Sequence, residues 1–150
     1  MLHAGMQRVR WRYLALVLLL GGCNSNYDIW RYERERAERA NTTVPRNHRA
    51  EIVAFMRTYL NDPIGVRAAF ISEPALRPIE GSNRYVVCLR YNPRRSGGQY
   101  AGSRDNLVVF RDGRLDRVVD SRGERGPDIA REYCKDAAYV PFPELEQMTR

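Results

Sequence analysis

The chain has 150 residues, 43% hydrophobic and 29% charged, with a formal charge of +7. That length supports one domain and not two, and the composition is ordinary for a globular protein. Arg8, Arg10 and Arg12 stand ahead of an apolar run with no acid before it; the remaining chain holds 22 basic against 18 acidic residues, too mild an excess to demand a nucleic-acid partner.

In chain order, residues 6–23 read MQRVRWRYLALVLLLGGC. A basic stretch precedes the apolar run 14–20, which is shorter than the roughly 20 residues a helix needs to span a membrane. Basic residues, a short apolar run and small residues in this order fit a secretory signal whose arginines stay on the cytoplasmic side. Met6 would give a more compact start than Met1. Leu20-Gly21-Gly22-Cys23 resembles the lipobox of bacterial lipoproteins. The resemblance implies cleavage before Cys23 and acylation of that cysteine, with several acyl chains giving stable anchorage where one would not. It also implies a palmitate-bearing protein on the periplasmic face of the cell envelope. In lipoproteins of this kind an Asp after the cysteine retains the protein in the inner membrane, so with Asn24 there the resemblance implies the outer membrane.

Residues 31–39 (RYERERAER) alternate charge and suit a solvated helix with Glu–Arg pairs, so residues 23–45 read as lipid anchor and tether. Ile52, Phe55, Met56, Tyr59 and Leu60 fall on one helical face, with Asn47 as an N-cap and Asn61-Asp62-Pro63 as the stop. Val66, Ala68 and Phe70 alternate with Arg67, Ala69 and Ile71, which predicts a strand. Pro74 and Pro78 read as breaks and Gly81-Ser82-Asn83 as a turn. Residues 85–91 (YVVCLRY) carry the strongest strand signal. Residues 92–102 are a loop by composition. Strands at 106–111 and 114–119 flank Asp112-Gly113, a hairpin turn. Residues 121–126 are polar, Pro127 suits the first position of a short helix reaching Lys135, and the prolines of Val140-Pro141-Phe142-Pro143 must leave it.

The expected organisation is a signal peptide (1–22), an anchor and tether (23–45), and a small α+β domain (46–150). In that domain an N-terminal helix packs on an antiparallel sheet of about four strands, followed by a short C-terminal helix or coil.

With Cys23 acylated, Cys88 and Cys134 remain. Export favours a disulfide between them, worth roughly 4 kcal/mol by loop closure. Two free buried thiols, an intermolecular bridge or a catalytic thiol are the alternatives.

The middle of the chain resembles a group of small exported proteobacterial proteins of unknown function. The residues that carry this are Asn61-Asp62-Pro63-Ile64-Gly65, the strand Val86-Val87-Cys88, and the loop Asn92-Pro93-Arg94-Arg95-Ser96-Gly97-Gly98-Gln99-Tyr100-Ala101-Gly102. Gly65 stands where the group tends to have Ser, and Gln99 adds a residue before Tyr100. The resemblance implies a common small fold and no known activity.

One loop carries possible ligand chemistry. Arg94, Arg95, Ser96, Gly97 and Gly98 could bind an anion through consecutive amides and a pair of guanidinium groups, with Arg90 and Arg104 nearby. The plainer reading is a hairpin loop that needs Gly for its turns and Arg for solubility. Of the 25 basic residues only Lys135 is a lysine. GC-rich codon usage explains that, and so does selection for bidentate anion contacts. His48 is the one histidine after Cys23 and stands alone as a partner for a catalytic cysteine. No nucleophile elbow and no metal-ligand spacing are present, so no cofactor, metal or catalytic residue is expected. Asp112, Asp116 and Asp120 sit on predicted turns and strands, where exposed acids are ordinary. The expected function is a non-enzymatic cell-envelope lipoprotein, a structural or interaction module with a protein or glycan partner. An anion- or glycan-binding lipoprotein using the loop 94–102 is the alternative.

Overall fold

The computed structural model describes residues 24–121 and 128–149. Cys23, the apolar run before it and Pro127 lie outside the described residues. The chain divides into two compact units, residues 1–37 and 38–150.

Helix α1 (Asn24–Asn41) carries no acid in its first turn and is dominated by charged residues from Arg31 on. Arg31 Nε donates to Glu35 Oε1 at 3.1 Å, one helical turn on. Pairs of this kind hold a solvated helix together at a few tenths of a kcal/mol each. Ile29, Trp30 and Tyr32 are exposed on it. The second unit begins inside the stretch read as a tether. The Asp112 amide donates to the Ala40 carbonyl at 2.5 Å, and Pro45 is fully buried.

In the second unit, α2 (His48–Tyr59) forms as its apolar spacing predicts, burying Ile52 and Met56 completely. Asn47 sits at the N-cap but makes no side-chain cap bond; it contributes only its carbonyl, to the Glu51 amide. Leu60 turns extended and ends the helix ahead of Pro63.

The sheet has six strands, two more than expected: β1 (Arg67–Ile71), β2 (Ala75–Ile79), β3 (Ser82–Asn92), β4 (Arg104–Arg111), β5 (Arg114–Asp120) and β6 (Val140–Pro141). The order is β5-β4-β3-β1-β6, with every pairing antiparallel. β2 and β6 are the two that sequence patterning missed, because each contains a proline. Both sit at sheet edges, where a missing N–H costs no ladder bond. β3 is long enough to pair β2 through residues 82–86 and β1 through residues 89–92. Ser72 bridges the step, with its amide donating to the Cys88 carbonyl and its hydroxyl accepting from the Cys88 amide, both at 2.9 Å. The turn placed at Gly81-Ser82-Asn83 falls one residue earlier. Glu80 and Gly81 both have positive φ, as do Asp112 and Gly113, giving two tight two-residue hairpins.

The alternation in β1 also changes phase. A bulge between Arg67 and Phe70 puts Ala68 at φ 49°. Val66 is therefore buried together with Ala69 and Ile71, while Ala68 and Phe70 face out. The bulge frees the Ala69 amide, which donates to Glu146 Oε1 at 2.8 Å, and the Ala69 carbonyl accepts from the Phe142 amide at 2.9 Å.

Both faces of the sheet are covered. On one, α2 and α4 (Pro143–Glu146) pack Ile52, Met56, Phe142 and Leu145 against Val87, Leu89, Val108 and Phe110. On the other, α3 (Ile129–Cys134) packs Ala130 and Cys134 against Val86, Cys88, Leu107 and Val109. Asp128 caps α3, its carboxylate accepting from the Arg131 amide at 2.9 Å, so the helix starts two residues after Pro127. The class is α+β. The carboxyl-terminal part is a helix, an edge strand and a helical turn.

Candidate functional site

β3 and β4 are joined by the loop the sequence singled out, and its backbone is a small ladder of its own. The Arg95 amide donates to the Gln99 carbonyl and the Gly98 amide to the Arg95 carbonyl, both at 2.8 Å. Gly98, at φ 80°, closes a three-residue turn of Ser96, Gly97 and Gly98. Arg94 pairs with Tyr100 beyond it, and the Gly102 amide donates to Asn92 Oδ1 at 2.8 Å. The Gln99 carbonyl completes this turn. The same bonds occupy two of the amides an anion-binding nest would use.

Arg94 folds back across the loop. A Cβ on Gly65 would lie 3.6 Å from Arg94 Cδ, and one on Gly98 would lie 3.5 Å from its Nη2. Its Nε stands 4.0 Å from Asp62 Oδ2. The Tyr100 hydroxyl donates to the Gly65 carbonyl at 3.1 Å, and the Arg67 guanidinium lies over the Tyr100 ring at 4.4 Å. These contacts fasten the loop to the segment that follows α2.

Between the end of α2, this loop and the start of β4 lies a cleft of about 690 Å³. Tyr91 and Asn106 form its buried floor, and Tyr59 and Leu60 form its wall. Asn106 Nδ2 donates to the Arg104 carbonyl at 3.3 Å. Arg94, Arg95 and Arg104 stand around the opening with Asp120. Among the described residues, Arg95 and Arg104 have no ion pair and no side-chain hydrogen bond. Sequence reasoning found the arginines but missed Tyr91 and Asn106. Their signal was the period of two along β3 and β4, which puts Tyr91 on the Leu89 face and Asn106 on the Val108 face.

The opposite face of the same ladder carries a paired polar cluster, beside a second cleft of about 630 Å³ lined by Arg90, Asp105 and Arg131. Arg90 donates to both oxygens of Asp105, at 2.8 and 3.2 Å, and the Tyr139 hydroxyl donates to Asp105 Oδ1 at 2.7 Å. The Arg90 guanidinium also lies over the Tyr139 ring at 4.4 Å. Burial pushes the Asp105 carboxyl up, but the bonds from Arg90 and Tyr139 outweigh it and hold the group below its ordinary value. Burial, then the bond to Asp105, raises the Tyr139 phenol well above its ordinary value. Neither Asp105 nor Tyr139 was singled out in the sequence.

Cys88 and Cys134 are bonded, with Cα atoms 5.6 Å apart, and both are buried. Neither is a thiol that could pair with His48. His48 Nδ1 lies 3.2 Å from the Pro45 carbonyl, and its Nε2 is buried without a hydrogen-bond partner. Asp116 is bound by Arg84 at 3.3 Å and Arg117 at 3.0 Å. Among the described residues no cluster of His, Cys, Asp and Glu could hold a metal ion, and no helix is long and apolar enough to cross a membrane. No protein family, curated protein or solved structure matches the chain.

Proposed function

We propose that the protein is a non-enzymatic, lipid-anchored module of the bacterial cell envelope, exported by residues 1–22 and acylated at Cys23. It faces the periplasm, on the outer membrane, and works by holding an envelope protein or glycan rather than by chemistry. The observation that carries this reading is the buried Cys88–Cys134 bridge. A disulfide at the core of a small domain forms and persists in an oxidising compartment, which is where the basic, apolar and Leu-Gly-Gly-Cys stretch would deliver the chain. The exposed polar helix α1 suits a spacer between a membrane surface and a folded domain.

Palmitate labelling of cells expressing the chain and its Cys23→Ser variant, followed by membrane fractionation, tests the proposal. The expected result is a labelled wild-type protein in the outer-membrane fraction and an unlabelled variant released from it. Equal labelling of both proteins, or none of either, overturns the anchor.

A further inference from the structure

We infer that the cleft between α2 and the β3–β4 loop is a binding site for a compact ligand bearing an oxyanion, a phosphate or carboxylate on a sugar-sized body. This goes beyond the envelope role proposed above and does not need the lipid anchor. The cleft, at about 690 Å³, falls in the range of small-molecule sites, roughly 300–1,000 Å³.

Its charge is one-sided. Three guanidinium groups, of Arg94, Arg95 and Arg104, line it against the single carboxylate of Asp120. Arg94 is positioned by its packing on Gly65 and Gly98 and by Asp62 at 4.0 Å. Arg95 and Arg104 have no acidic partner among the described residues. The planar fork of arginine binds a phosphate or carboxylate through two parallel N–H groups, and does so most strongly where water is partly excluded. The arginines stand at the exposed rim, and below them the body of the cleft offers the apolar surface of Tyr59, Leu60 and Pro93 beside the buried polar floor of Asn106. A ligand with an anionic head and a body that packs on that wall matches both halves.

The ladder register also fixes the geometry. Tyr91 pairs with Arg104 and Asn106 with Asp120, so the floor and two of the charged rim residues ride on hydrogen-bonded strands. Sites held by strands keep their shape better than sites held by loops alone.

The full chain, purified in detergent, would be titrated with inorganic phosphate, glucuronate and neutral glucose, followed by amide-resolved NMR. Saturable shifts confined to residues 59–61, 91–102 and 104–106, with phosphate or glucuronate and not with glucose, are expected. Binding of phosphate alone assigns phosphate esters, and binding of glucuronate alone assigns uronic or other carboxylic acids. Arg95→Gln and Arg104→Gln should each weaken that binding about tenfold, as loss of a charge-assisted bond does. Arg77→Gln, on the exposed edge strand β2, should leave it unchanged. Absence of saturable binding, equal binding of glucose, or equal weakening by Arg77→Gln overturns the site.

Discussion

Replacing both bridged cysteines, as Cys88→Ala/Cys134→Ala, perturbs the fold at its least self-sufficient point. Cys88 is in the middle of the central strand, and Cys134 ends a six-residue helix that no isolated peptide would hold. The two are 46 residues apart. Loop closure over that span is worth about 4 kcal/mol, before any change in the folded state. A domain of this size shifts its midpoint by roughly 4 °C per kcal/mol, so thermal unfolding should move down by about 15 °C. Urea unfolding with linear extrapolation gives the free energy directly. Helix α3 also has few other attachments: Ala130 is buried, the Tyr133 hydroxyl bonds the Pro78 carbonyl, and Asp128 caps the start. Its amides should therefore lose exchange protection in the variant before those of β3 and β4 do. A loss below about 1 kcal/mol would refute the reasoning, because it would mean the unfolded chain gains almost nothing from release of the bridge.

Glu51→Ala removes the carboxylate that accepts from the Leu115 amide at 2.6 Å. Leaving that partly buried donor bare should cost about 1–2 kcal/mol in chemical unfolding and raise amide exchange at Leu115. Ala68, at φ 49°, is a side chain in glycine's region. Ala68→Gly should stabilise by up to about 1 kcal/mol and Ala68→Val should destabilise by roughly 1–3 kcal/mol, a pair of opposite signs read by urea midpoints. The Asp105 carboxyl is held below its ordinary value, so its contribution is complete above the unfolded value, about 4, and disappears as pH falls through the folded value. Asp105→Asn should remove that part of the acid limb of a stability-against-pH curve. The Tyr139 phenol is raised, so its contribution is complete below the unfolded value, about 10, and is lost as pH climbs through the folded one. Tyr139→Phe should flatten the alkaline limb.

Much of this architecture was legible because hydrophobic period and turn chemistry agreed. Ile52 and Met56 recur at helical spacing and are fully buried, and the β3 run is apolar on both faces because both faces are covered. Asp112-Gly113 adopts the turn its residue types favour. What escaped depends on partners distant in sequence. β6 is two residues long and exists because β1 offers an edge. β2 keeps Pro78 because its register puts that residue opposite Asn83 at a strand end. The phase change in β1 has no local signature either, since Glu146, 77 residues on, is what receives the Ala69 amide. The loop of arginines and glycines was recognised as a place for anion chemistry, yet composition could not show that its amides would bond one another.

The cleft follows from an asymmetry in one strand pair. Beyond Leu89 and Leu107 the apolar residues of β3 and β4 give way to polar ones on both faces of the sheet. Arg90 and Asp105 are direct partners in the ladder, so on the α3 face opposite charges meet and pair, with the Tyr139 hydroxyl bonded to the same carboxylate. On the α2 face the ladder sets Arg104 beside Tyr91 and Asn106 beside Leu89, and no carboxylate stands opposite the arginine. The exposed Arg104 guanidinium therefore keeps its donors available to a group from outside the chain, where the same ladder pairs Arg90 internally. An oxyanion from outside the chain completes on the α2 face what Asp105 completes on the other, and a Ser96→Glu variant, which places an acid at the exposed rim beside these arginines, should abolish phosphate or glucuronate binding while leaving the urea midpoint unchanged.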